Sequence, residues 1–244
     1  MGMRHLLLLP LLTSCTFFRP AAVPMPVLEH PCPAGDARGL VVLLPGRGDV
    51  PGAYERHGFV DRIQEVNPRL DVLSVDAHLG YFRNRSITER LHQDVFAPRA
   101  EHYEHIWVVG ISMGGLGAIA YDIEHPGVLD GMLLLAPYLG DAEVVREVQA
   151  AGGPPHWQPT DAESDTASAL YRRVWRWCRE LHLQPRTKPT VLVGYGDGDR
   201  FRDADAMLAA ALPARRRLVL PGRHDWRTWS ALFAALAPRA FHEL

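Results

Sequence analysis

Six short, almost wholly apolar runs recur along this chain, each stopped by glycine, proline or aspartate. They are Gly39–Leu44, Val72–Val75, Ile106–Val109, Gly131–Leu135, Thr190–Val193 and Arg217–Leu220. A strand that is apolar at every position is covered on both faces, as in a parallel sheet held between two helix layers. Helical patterning fills the gaps, over 53–66, 86–103, 114–124, 203–211 and 226–241. Strand and helix in alternation predict an α/β fold with a mostly parallel sheet flanked by helices. No internal repeat interrupts this pattern. The 244 residues are 47% hydrophobic and 22% charged, enough to bury a core, which excludes a disordered chain, a collagen and a coiled coil.

One connection is longer than a crossover requires. About 50 residues separate Leu135 from Thr190. Two helical stretches fall inside it, 141–151 and 162–181, with Gly152-Gly153-Pro154-Pro155 between them. The span 141–188 is therefore expected to be a helical cap inserted before the strand that begins at Thr190. Trp175 and Trp177, two apart on its second helix, face different sides, and one of them is expected to touch substrate.

Chemistry concentrates where strands end. Gly110-Ile111-Ser112-Met113-Gly114 follows one apolar run and opens a helical stretch. A serine there sits on a tight strand-to-helix turn that pushes its hydroxyl out of the sheet, and glycines let neighbouring backbone pass close. The new helix also aims its N–H groups at the place where negative charge develops. A serine hydroxyl needs a base to act as a nucleophile. An aspartate follows the run at Thr190, in Gly196-Asp197-Gly198-Asp199. A histidine, His224, follows the last run in a Pro-Gly turn. Ser112, an aspartate and His224 thus stand in the chain order Ser, Asp, His. An oxyanion site is expected from the backbone N–H of Met113 and from the Leu44-Pro45-Gly46-Arg47-Gly48 loop, with Arg47 as donor and Gly46 giving close approach. That loop is not followed by Gly-Lys-Ser/Thr, which argues against phosphate binding.

In these motifs the chain resembles α/β-hydrolase-superfamily serine esterases, from residue 39 to residue 241. Arg223-His224-Asp225-Trp226 with Trp229 is similar to the Gly-His-x-Trp-x-x-Trp endings of some esterase-D-like and mycolyltransferase-like members. The resemblance implies the α/β-hydrolase fold, an acyl-enzyme mechanism and a small-molecule ester or acyl substrate. It also implies that Asp199 of the Gly-x-x-Asp pattern carries the acid, with Asp197 capping the turn; Asp197 is the alternative acid. Two departures stand out. The oxyanion loop reads Leu-Pro-Gly rather than His-Gly, and the superfamily's first two strands are not evident before Gly39, which predicts a truncated sheet. An acyltransferase would use the same residues, and a non-catalytic protein retaining the fold is the rival of another class.

The N-terminus reads as an address. Met1–His5 carries one arginine, Leu6–Leu12 is too short for a membrane span, and Leu12-Thr13-Ser14-Cys15 resembles the bacterial lipobox. That resemblance implies a signal peptide over 1–14, lipidation of Cys15, and a protein anchored in the cell envelope facing the periplasm. Residues 15–38 hold five prolines without periodicity and are expected to be a tether. Cys32 and Cys178 carry no spacing signal for a disulfide. The formal net charge of −2 offers no basic field for nucleic acid. His102 and His105 have no grouped acid or cysteine, so no metal is expected there. His78 ends a strand, as a pocket or core histidine. Asp225 is read as structural. No cofactor is implied, and no sequence feature sets the oligomeric state.

Overall fold

The computed structural model describes residues 19–158, 167–184 and 188–244. A seven-stranded sheet forms its centre. The strands are β1 (Val27–His30), β2 (Gly39–Leu44), β3 (Leu70–Val75), β4 (His105–Ile111), β5 (Gly131–Leu135), β6 (Thr190–Gly196) and β7 (Arg217–Leu220). Their spatial order is β1-β3-β2-β4-β5-β6-β7. Only β1 runs antiparallel, with Val27 opposite Val75 and His30 opposite Val72. Every other neighbouring pair is parallel. Register aligns the strand ends: Leu44 pairs with Gly110, Ile111 with Leu135, and Leu135 with Gly194. The loops that leave these strands therefore meet along one edge of the sheet, where open α/β sheets place ligands.

Burial follows the apolar runs. Every residue of β2 and β5 is buried, while β7, at the outer edge, is not. Nine α-helices occur among the described residues: α1 (Gly52–Arg56), α2 (Phe59–Val66), α3 (Leu79–Arg83), α4 (Ile87–Arg90), α5 (Met113–Glu124), α6 (Ala142–Ala150), α7 (Ala167–Leu183), α8 (Arg202–Ala209) and α9 (Trp226–Phe241). Two layers flank the sheet. In one, α2 and α9 pack on each other; in the other, α5 packs against α4 and α7.

Three expectations need correction. The single helix over 53–66 is two, broken at His57-Gly58. The helix over 86–103 is the short α4 followed by a π-helical turn, Leu91–Phe96, which stops before Pro98 because proline cannot donate to the turn; α3 precedes it unannounced. The proline-rich tether is, from residue 19 onward, packed onto the domain. Met25 is buried, and its N–H donates to Asp94 Oδ2 at 2.9 Å. Arg19 forms a bidentate ion pair with Asp76, and Tyr81 donates its hydroxyl to the Ala22 carbonyl at 2.9 Å. Pro26 and Pro31 fall just outside β1, where an edge strand tolerates them. One of the two early strands thus exists.

The long connection also plays two roles. Residues 162–166, where its second helix was expected to begin, lie outside the described residues. From Val174 onward α7 buries Trp175, Trp177, Cys178 and Leu181 and packs on α5, so this half is the crossover helix of the outer layer. Only its first turns reach over the sheet edge.

Candidate active site

Ser112 is the junction between β4 and α5. Its φ of 51° and ψ of −113° are a strained conformation for a residue with a side chain. The surroundings hold it there. Its N–H donates to the Leu135 carbonyl at 3.0 Å, and its own carbonyl accepts from Gly115 N–H at 3.0 Å and Tyr138 N–H at 2.9 Å. A side chain at Gly110 would come within 2.7 Å of the Gly114 carbonyl. One at Gly114 would collide with the Leu44 carbonyl, so the end of β2 and the first turn of α5 touch backbone to backbone. This contact seats the Gly46–Arg47 loop beside Met113, the first residue of α5, whose N–H is among those a helix leaves unbonded. Arg47, Ser112 and Met113 line one cavity.

Asp199 and His224 reach the same point from the next two loops. Gly198 N–H donates to the Gly222 carbonyl at 2.9 Å, and a Cβ at Gly196 would lie 2.5 Å from that oxygen. The two loops can approach this closely only without side chains. His224 Nε2 lies 2.9 Å from Ser112 Oγ, and His224 Nδ1 lies 2.8 and 3.1 Å from the two Asp199 oxygens. An ionised carboxylate only accepts, so Nδ1 carries the proton and Nε2 is left to accept from the serine hydroxyl. Asp199 is buried and also accepts from Phe201 N–H at 2.8 Å. The rings of Phe201 and Trp229 stand nearly perpendicular to His224 on centroids 4.9 Å away, fixing its plane. A hydroxyl, an imidazole and a carboxylate in this line can pass a proton from nucleophile to base.

The other acids of these loops do different work. Asp197 Oδ1 accepts from Gly222 N–H at 3.1 Å, tying the turn. Asp225 caps α9, its Oδ1 accepting from Thr228 N–H and Oγ1 at 2.9 Å each. Those bonds hold its carboxyl below the ordinary range. Burial instead pushes the Asp205 carboxyl well above that range, and the nearby Asp199 charge adds to the effect.

Other residues of these loops and of α7 complete the site. Trp226 Nε1 donates to Asp49 Oδ1 at 3.1 Å and so pins the loop after β2 to α9. Tyr138, Phe201 and Arg200 line the cavity with Ser112, as do Leu170 and Tyr171 of α7. The expected tryptophans do not. Trp175 is fully buried, and Trp177 is buried with Nε1 donating to Asp122 of α5 at 2.8 Å. His78 is buried and caps α3 by accepting from Gly80 N–H at 3.0 Å. Cys32 and Cys178 are free and buried. No three His, Cys, Asp or Glu side chains are placed to hold a metal among the described residues. Cys15 lies outside the described residues.

The sheet order, the single antiparallel edge strand and the serine elbow define the class: an α/β-hydrolase. Residues 80–240 match a family model described as "Putative esterase", and the chain belongs to that esterase family of carboxylic ester hydrolases. No curated protein matches in sequence. Among solved structures, the chain is similar to a monoacylglycerol lipase from Paleococcus ferrophilus, with 16% identity, TM-score 0.58, and 90% of this chain and 98% of that one covered. It is also similar to Est1E from Butyrivibrio proteoclasticus, at 17% identity, TM-score 0.56, and 89% and 93% coverage. A third is the S-formylglutathione hydrolase FrmB from Staphylococcus aureus, at 15% identity, TM-score 0.54, and 90% and 96% coverage. At such identity these likenesses establish the fold.

Proposed function

We propose that this protein is a serine hydrolase that cleaves a carboxylic ester through Ser112, His224 and Asp199. The observation that carries the reading is the continuous hydrogen-bonded line from Ser112 Oγ through His224 to Asp199 at a strained strand-to-helix turn. His224 Nε2 takes the hydroxyl proton as Ser112 Oγ attacks the ester carbon. Asp199 keeps the imidazole in the required tautomer and steadies the imidazolium. The developing oxyanion faces the Met113 N–H and the Gly46–Arg47 loop at the positive end of α5. The imidazolium then protonates the leaving alkoxide. Water, deprotonated by the same nitrogen, releases the acid and restores Ser112. A fluorophosphonate should label wild type at Ser112, and Ser112→Ala should remove both the label and all but roughly 10⁻⁴ of the turnover. Turnover of Ser112→Ala within about tenfold of wild type, far above that floor, would refute the assignment.

We propose further that Cys15 is lipidated and that the enzyme sits in the cell envelope, facing the periplasm. The Leu12–Cys15 pattern supports this. Cys15→Ser should abolish incorporation of labelled fatty acid and release the protein from the membrane fraction. A wild-type protein that fractionates with membranes yet carries no lipid label would rule it out.

A further inference from the structure

The cavity beside Ser112, of about 580 Å³, has a direction. Met113, Leu116, Ala120 and Glu124 line it from α5. Steps of three, four and four residues are one stripe of a helix. Eleven residues at about 1.5 Å each carry that stripe roughly 16 Å from the nucleophile. Leu79, Phe82 and Ile87 supply a second wall, and Leu170 of α7 a third. Apolar side chains thus supply three walls of the channel, with arginines set among them. At its far end the Arg173 guanidinium meets Glu124 at 3.3 Å, a polar stop.

The position of His224 assigns the channel to one half of an ester. A leaving oxygen has to stand at His224 Nε2 to be protonated, and His224 is not among the described residues lining the channel. What runs from the carbonyl along α5 is the acyl half. We infer that this channel is an acyl-chain site and that the enzyme prefers esters of apolar acyl chains of intermediate length. Leu116 and Ala120 read the chain, and the Glu124–Arg173 pair sets its limit. The inference rests on Ser112 being the nucleophile. Arginines also line the channel, among them Arg83, Arg85 and Arg200. Such side chains lay apolar stems along a wall while their heads reach water, and an acyl group ending in a carboxylate is the competing ligand.

Nitrophenyl esters from acetate to palmitate, assayed on the full chain beside fluorophosphonate labelling, test this. Wild type should gain roughly two- to fourfold in kcat/KM per methylene up to an intermediate optimum, then lose activity. Ala120→Leu should lower the octanoate-to-acetate ratio at least about tenfold. Leu170→Trp, at a partly exposed position, reads the same ratio if Ala120→Leu does not fold. Arg173→Ala should move the optimum to longer chains. A flat profile on labelled wild type would overturn the acyl-site inference alone, and so would a suberate half-ester that outpaces octanoate. Profiles unchanged in all folded variants would do the same. Absence of labelling on wild type would instead remove the reading on which it rests.

Discussion

Two carboxylates separated by one glycine, Asp197 and Asp199, have different fates because of where their oxygens point. Asp199 meets the imidazole, whereas Asp197 ties a turn through Gly222 N–H. Asp199→Asn should lower kcat roughly 10⁴-fold, because an amide donor at Nδ1 selects the wrong tautomer. Asp197→Asn keeps an acceptor oxygen for Gly222 and should remain near wild type. Steady-state kinetics of both variants decide it, and the reverse ranking would transfer the role. Asp205 offers a second test. It is fully buried, and neither oxygen has a hydrogen-bond partner among the described residues. Its folded-state affinity for a proton is raised, so the folded state holds a proton that the unfolded state releases above about pH 4. Folding stability contributed at this site is complete at lower pH and declines as pH rises toward the folded value. Asp205→Asn should therefore raise the melting temperature at pH 7 more than at pH 4. Equal shifts at both pH values would show that the group is not protonated in the native state.

Among elements, α7 shows how one helix serves two ends. Val174, Trp175, Trp177, Cys178 and Leu181 are buried in the body of the protein, while Leu170 and Tyr171 line the cavity. Aromatic content marked this segment as important, but sequence spacing gives relative faces and not which face meets the core. Trp175→Ala should lower stability by about 3–5 kcal/mol in chemical denaturation. Acyl preference of the folded fraction should stay as in wild type, and a changed preference would return this residue to the binding surface. In α5 the local constraint is stronger. Only glycine fits at residue 114 against the Leu44 carbonyl, and the Gly-x-Ser-x-Gly spacing already implied that contact.

At the scale of the molecule, the segment before Gly39 belongs to the fold. β1 pairs with β3, Met25 is buried, and Arg19 reaches Asp76 at the end of the sheet. A chain beginning at residue 19 should melt close to the chain that retains Cys15, whereas one beginning at residue 34 should lose several degrees or fail to fold. Equal melting of the two truncations would restore the tether. If Cys15 carries a lipid, only residues 16–18 separate it from the packed body, so the enzyme stands within about 14 Å of its anchor. The parallel sheet, the serine elbow and the order of Ser112, Asp199 and His224 were legible in the sequence, because apolar runs and glycine-punctuated strand ends are local consequences of covering a sheet on both faces. For Asp197 and Asp199 the Gly-x-x-Asp pattern already favoured Asp199, the residue that packing brings to His224, whereas the packing of residues 19–38, the inward turn of Trp175 and Trp177, and the channel along α5 were decided by tertiary structure alone. Each depends on which residues distant in sequence come within contact, and the register and packing of whole elements set that.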